Sequence, residues 1–450
     1  MIWEKYLLAD RLRSSRRQTE KDPRNEFESD FGRLLFSPAL RRMHDKTQVF
    51  PLTTDDNIHS RLTHSMEVMA LGHSLGLRIV EDEELRQKIG YDENYLLRTI
   101  PVLLKNACLV HDIGNPPFGH FGETVIKSFF SSYFETNDSG LSQMEKEDFT
   151  KFDGNAQGFR VLTKLQALND SYGLNLTFAT LGTYLKYPNF GEIDKSLISQ
   201  SKRGVFQSEV CTLQRIAEPM GLEWRDRYQR HPLSFMMEAA DSTCYLVMDI
   251  EDGYNKGYYT YDMMKSELSE IPGVKKELAR LQKTFTGRGA ETAWVVNLRL
   301  FLIKRLLDTA VANFKKHFET IENGEYHREL LKDDQNGTSN LLLSFCSKYI
   351  FPHREVCSLE LTGHSVICGL LTYFTDFLMK DSGDYKKRAV NLLSASIVRA
   401  ALLENNIAEK GGFDDLSNYS KLRIIVDYVS GMTDQFAVDK FQKISGQKIV

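Results

Sequence analysis

Apolar positions recur along this chain with the 3.6-residue period of a helix and almost nowhere with the two-residue period of a strand. Between His64 and Val80, the residues His64, Val68, Leu71, Leu75 and Ile79 fall on one face and His73 on the other. The run PVLLKNACLV, Pro101 to Val110, is apolar nearly all round, as a central helix should be. A proline opens a third stretch, Pro232 to Ile250, at the first turn, where its missing N–H costs nothing. Further helical stretches are predicted at 292–322, 358–380, 387–404 and 417–432. Ser131 to Asp153 is polar without a clear period and reads as a loop or mobile insertion. Asp252 to Thr260, with Gly253, Gly257 and three tyrosines, reads as a junction, and the final GQKIV as extended. The pattern predicts an all-α protein. A core over 1–252, with an N-terminal arm and the insertion near 131–153, is followed by a C-terminal helical region, 253–450, that packs on the core and contributes oligomer contacts.

Composition narrows the class. The chain has 450 residues, 42% hydrophobic and 26% charged, ordinary values for a globular protein able to bury a full core. A net charge of −4 gives no global basic field for nucleic acid. The local cluster Arg11, Arg13, Arg16 and Arg17 is read first as a solvated arm or subunit contact, and second as a nucleic-acid contact. Six cysteines are scattered with no CxxC, which argues for a reducing compartment and against a disulfide framework or zinc ribbon. MIWEKYLLADRLRSS carries charges inside its apolar part and does not read as a signal peptide. The longest apolar stretch, Ser365 to Leu378, is broken by Thr372, Thr375 and Asp376 and reads as a buried helix, not a membrane span. A cytoplasmic protein without membrane contact is the expectation.

The chemistry centres on His111-Asp112, within HDIGNPPFGHFGE at the end of the central helix. Gly114, Pro116 and Pro117 should stop that helix, Gly114 as a left-handed cap. Alone a His-Asp pair is weak evidence. Here His64 lies on one neighbouring helical stretch and Asp241 on another. Together they make a His₂Asp₂ set without thiolate, suited to Mg, Mn, Fe(II), Co or Zn with open positions. Asp241, Tyr245 and Asp249, spaced i, i+4, i+8, form a polar stripe on a helix otherwise built for burial. Arg61 stands one turn before His64 and can fork onto a phosphate. His120 and Glu123, spaced i, i+3, suit a general acid or base with its carboxylate support.

The blocks SDFGRLLFSPALRRM with KTQVFPL, SRLTHSMEVMALG, HDIGNPPFGHFGE, FDGNAQGFR, LKYP and RHPLSFMMEAADSTCY occur in that order between residues 24 and 252. As a set they resemble the HD-domain deoxynucleoside triphosphate triphosphohydrolases, the dGTPase family. The resemblance implies an HD-domain helical core with His64, His111, Asp112 and Asp241 as metal ligands. It implies His120 as catalytic with Glu123 supporting it, and Arg61 on the triphosphate. Tyr245 and Asp249 would surround the deoxyribose, and Asn155 and Gln157 would lie near the reacting phosphate. Lys186, Lys202 and Arg299 are further phosphate contacts on shorter matches. Asn115 stands where many relatives carry His, and His44 where they commonly carry Gln, near sugar or base, so base choice is not legible. The implied reaction is metal-dependent hydrolysis of a dNTP, dGTP favoured, to deoxynucleoside and tripolyphosphate, a metal-activated water attacking the α-phosphate. Implied partners are a homo-oligomer, dimer-based and up to hexameric, and a second dNTP or single-stranded DNA as effector. The alternatives are another HD nucleotide phosphohydrolase (nucleotidase or phosphodiesterase) and a dNTP- or single-strand-responsive regulator.

Overall fold

The structure, a computed structural model, describes residues 2–14, 22–53, 55, 57–166, 170–334, 336–380, 383–407 and 411–448. Among them, two short antiparallel strands, Glu223–Trp224 and Arg227–Tyr228, are the only sheet. Everything else that is regular is helical, as the apolar periodicity predicts.

The central helix is Ile100–Val110, with only Val102 and Lys105 not fully buried. Against it pack Arg61–Glu81, Pro232–Asn255, Phe178–Tyr184 and Glu26–Leu35. Local chemistry sets where these helices start. Ser60 caps the Thr63 N–H while Thr63 bonds back to the Ser60 N–H, so Arg61 and His64 occupy the first turn. Pro232 sits at the first position of its helix, with His231 capping the Leu233 N–H.

Two apolar clusters hold the chain. The larger runs from Trp3 through the central helix and on to Val356 and Ala400, so hydrophobic contacts pass without a break across residue 252. The second joins Phe118, Ile126, Phe130 and Phe149 to Ile367, Leu370, Phe374 and Ile425 of the C-terminal helices.

Several local expectations change. Ser131–Asp153 is not a loop. Gly119–Thr136 is one helix, and Gln143–Thr150 another, opened by a Ser142–Glu145 capping box. Few of its residues are apolar, which hides the period, but Phe130, Phe134 and Phe149 meet in tilted and edge-on ring contacts that join both helices. The junction at Asp252–Thr260 is shorter than expected, because the preceding helix continues to Asn255 before Gly257 turns at φ +70°. The 387–404 stretch is two helices, Asp384–Leu392 and Ala395–Glu404, separated by an extended Leu393. Gln447 and Lys448 fold back onto the Gln442 carbonyl, so GQKIV is not extended as far as it is described; Ile449 and Val450 lie outside the described residues. Gly114 is not a left-handed cap. The missing Cβ instead lets the backbone of Gly154 and Gly158 approach, to 2.2 and 2.0 Å of where a Cβ would stand, and the left-handed residues are Phe118 and Gly119. Arg16 and Arg17 lie outside the described residues. Arg11 is buried in ion pairs with Glu26 and Asp30, and Arg13 pairs with Asp170, so neither is a free arm charge.

Candidate metal and active site

Three helices bring His64, His111 and Asp241 together, with one ligand atom from each within 4.8 Å of the others. Asp241 Oδ1 lies 3.4 Å from His64 Nε2 and 3.3 Å from His111 Nε2. Both Nε2 atoms are buried and find no hydrogen-bond partner among the described residues. His111 Nδ1 bonds to the Cys108 carbonyl at 2.8 Å. That bond sets the tautomer and leaves Nε2 with a lone pair directed at Asp241. Buried polar nitrogens are costly unless something satisfies them. Two such nitrogens facing a carboxylate fit a divalent cation held by N and O donors.

Asp112 stands at the edge of this group, Oδ2 3.5 Å from His111 Nε2. That oxygen also pairs with Arg61 Nη1, while Asn115 Nδ2 donates to Oδ1 at 2.9 Å. Burial raises the Asp112 carboxyl, but the adjacent Arg61 and His111 reverse this and hold it well below the usual carboxylate range. Asp241 follows the same logic. Burial raises it; Lys186, whose Nζ sits 2.9 Å from Oδ2, and His111 bring it far below. Both carboxylates are therefore anionic and ready for a cation.

Arg61 is buried, its Nε donating to the Thr47 carbonyl at 3.0 Å. His120 lies in the first turn of Gly119–Thr136 and Glu123 one turn on, with Nδ1 3.4 Å from Oε1. The His120 side chain is 73% exposed and Glu123 is buried. Glu123 Oε1 accepts the Gly154 N–H at 3.0 Å. Lys127 Nζ is 3.8 Å from its other oxygen, and Lys202 lowers it further through space. The bond to Glu123, then its charge, raises the His120 pKa above the ordinary imidazole value.

The remaining expected residues divide. Lys186 is in the group. Lys202 Nζ lies 3.6 Å from Asp153, the residue that caps the Gly154–Arg160 helix. Asn155 is tied by its side chain to Asp153 Oδ1 at 2.8 Å, and its carbonyl accepts the Tyr184 hydroxyl. Tyr245 is half-buried one turn after Asp241. Asp249 is buried, and that burial, with Asp252 beside it, pushes its carboxyl well above the usual range. Three others are not brought to the metal group. Gln157 turns away, its amide bonding Asp427 Oδ1 and its carbonyl oxygen accepting from Arg423. Arg299 pairs with Glu251 at 2.6 Å. His44 is exposed and bonds to its neighbour Asp45. Sequence reasoning passed over Asp153, Tyr184 and Lys46, whose buried ammonium bonds the Asn115 carbonyl at 2.6 Å. KTQVFPL pointed at the right segment but not at this role.

Comparison with known proteins agrees with the geometry. The HD domain model matches residues 61–146, and a phosphohydrolase-associated domain matches residues 331–443. A deoxyguanosinetriphosphate triphosphohydrolase-like protein of Synechocystis is 34% identical over 473 residues, spanning 99% of each chain. The chain belongs to the HD-domain deoxyguanosinetriphosphate triphosphohydrolase family. A relative of the same description in Listeria monocytogenes is 34% identical over 480 residues, 99% of this chain and all of its own. The deoxyguanosinetriphosphate triphosphohydrolase of Klebsiella pneumoniae is 31% identical over 96% of both. The family is one of hydrolases, and the HD domain is a metal-dependent phosphohydrolase fold, consistent with the His/Asp group described above. No helix among the described residues is long and apolar enough to cross a membrane.

Proposed function

We propose that this protein hydrolyses a deoxynucleoside triphosphate, dGTP favoured, to deoxynucleoside and tripolyphosphate. The observation that carries the reading is the convergence of two buried, unbonded imidazole nitrogens, two anionic carboxylates and Arg61 beside an exposed, carboxylate-supported His120. His64, His111, Asp112 and Asp241 would hold the divalent ion. Bound there, it supplies Lewis acidity, polarising a phosphoryl oxygen and acidifying water.

The protein's own groups do the rest. Arg61 and Lys186, each already beside a site carboxylate, provide the cationic clamp that holds the phosphates in line. Lys202, near Glu123 and Asp153, adds a further cation for a phosphate. Water adds to the α-phosphorus and the bond to the 5′-oxygen breaks. His120, kept protonated by Glu123, gives its proton to the departing oxygen. Tyr245 and Asp249 line the sugar side, where a tyrosine packed on the ring excludes a 2′-hydroxyl.

The test is product analysis. Purified protein is incubated with Mn²⁺ or Mg²⁺ and each dNTP and NTP, and nucleosides and phosphates are resolved by ion-pair chromatography. Deoxynucleoside with tripolyphosphate, from dNTPs alone, is the expected result. Monophosphate or diphosphate products would move the protein to another HD phosphohydrolase reaction.

A further inference from the structure

Asp434 opens the C-terminal helix Asp434–Ile444 and is 2% exposed, with both carboxylate oxygens committed. Oδ1 accepts the Phe118 N–H at 3.0 Å. Oδ2 accepts the Thr47 N–H at 3.0 Å and the Thr47 hydroxyl. These donors belong to two different segments of the chain, which meet beside the candidate site, where a Cβ at Gly119 would stand 2.8 Å from Arg61 Nη2. The Thr47 carbonyl accepts Arg61 Nε, so Thr47 fixes the guanidinium that pairs with Asp112. Phe118 is the residue before Gly119, where the helix carrying His120 and Glu123 begins.

The Phe118 side of this arrangement needs an external hold. Phe118 is left-handed at φ +61°, a conformation that a side chain with a Cβ disfavours, and Gly119 follows at φ +58°. Two successive left-handed residues set the angle at which His120 enters the site. The C-terminal helices hold that turn at three places. Asp434 takes the Phe118 N–H. The Phe118 ring lies over Gly363, where a Cβ would come within 2.6 Å of it. Lys46 bridges the Asn115 carbonyl to the Ser430 carbonyl, at 2.6 and 2.8 Å.

We infer that Asp434 is a positioning residue of the hydrolytic site, one carboxylate tying the Arg61 clamp and the His120 turn into a single rigid unit. This rests on the roles given above to Arg61 and His120, and it makes the phosphohydrolase-associated region a working part of the site. It touches neither substrate nor metal ligands and acts through Thr47 and Phe118. Two oxygens are required because two segments are held. The substitution D434N keeps the shape but turns an amide N–H toward one of the donors, and so cuts one tie.

The experiment compares the intact protein with D434N and with D427N. Asp427 is a second buried carboxylate of the same region, but its bonds go to Gln157, Arg160 and Arg423. The His120 resonance, assigned with H120Q, is titrated by NMR, Mn²⁺ binding is measured by calorimetry, and dNTP turnover is followed. His120 is faced by Glu123, Arg61 and Asp112, so its midpoint reports that geometry. For D434N the inference expects unchanged Mn²⁺ affinity, a His120 midpoint moved down toward the ordinary imidazole value, and a kcat reduced about tenfold to a hundredfold, as for a sub-ångström to ångström misplacement. D427N should lower stability and leave the midpoint where it is. An unmoved midpoint together with an unchanged KM in D434N, or an equal midpoint shift in D427N, overturns the inference. Should D434N not fold, T47V serves. It removes only the hydroxyl tie on the Arg61 side, and a several-fold higher KM at constant His120 midpoint is expected; an unchanged KM overturns it. The titration needs no turnover, so absence of dNTP hydrolysis would count against the proposed function and leave this inference decided on the midpoint alone.

Discussion

His120 exposes most of its ring, yet one turn later Glu123 is buried and held by a backbone N–H and two lysines. The carboxylate is anchored so that the imidazole need not be. A free imidazole at the site mouth can meet a leaving oxygen, while the fixed anion keeps it charged. Replacing His120 by alanine should lower kcat by roughly 10²–10⁴-fold with metal affinity intact; turnover near that of the native protein would remove His120 from the mechanism. The sign of the pH dependence also follows. The working form is protonated, so rate falls as pH rises through the His120 pKa, which Glu123 raises. In Glu123→Gln the alkaline limb of the kcat profile should shift to lower pH. A limb that stays in place would show that some other group titrates there.

The short helix Gly154–Arg160 faces two ways. Its N-terminal end gives Glu123 an N–H, and its C-terminal end plunges into a buried ion cluster, where Arg160 meets Glu209, Asp427 and Glu404 at 2.6, 2.9 and 3.1 Å. The family resemblance implied a place for Gln157 near the reacting phosphate because it shares a motif with Asn155, but a helix of this pitch puts the two on different faces. Arg160→Ala strands buried carboxylates and should cost about 3–5 kcal/mol, read from the denaturant midpoint; a loss below about 1 kcal/mol would mean water or a counter-ion satisfies the cluster. A second tie joins the start of the Arg61 helix to the end of Pro232–Asn255 through His59, bonded to Asp252 at 2.8 Å and Glu67 at 3.3 Å. Burial lowers the His59 pKa, but the two carboxylates more than reverse that, to about 10 against an ordinary 6.5. With the folded value raised, this tie contributes fully below pH 6.5 and is lost as pH rises through about 10. The stability difference between the native protein and His59→Gln should therefore be largest near pH 6 and shrink steadily to pH 10. A difference independent of pH would assign His59 a packing role only.

At the scale of the whole molecule, the helix bearing His120 belongs to a core cluster completed by C-terminal residues from Ile367 to Val429. Hydrophobic burial is proportional to area and indifferent to sequence separation, so the HD segment cannot close this cluster alone. A fragment ending at residue 330 is expected to lose cooperative unfolding and to bind a hydrophobic dye; a sharp thermal transition in that fragment would show that the HD segment is self-sufficient.

Helical class, the three helices that carry His64, His111 and Asp241, and the pairing of His120 with Glu123 could all be read from local patterning. Periodicity, caps and short spacings are properties of a few neighbouring residues, and they survive in one dimension. The helical nature of Ser131–Asp153 could not, because its sparse apolar residues gain meaning only when Phe130, Phe134 and Phe149 meet. Nor could the sharing of Asp112 between Arg61, Asn115 and His111, or the departure of Gln157 and Arg299 to other partners. An aspartate reads the same in sequence whether it is solvated or is the buried hub of two segments. Asp434 reaches Phe118 across 316 positions and Thr47 across 387, and only the packing of the C-terminal helices on the core decided which it would be.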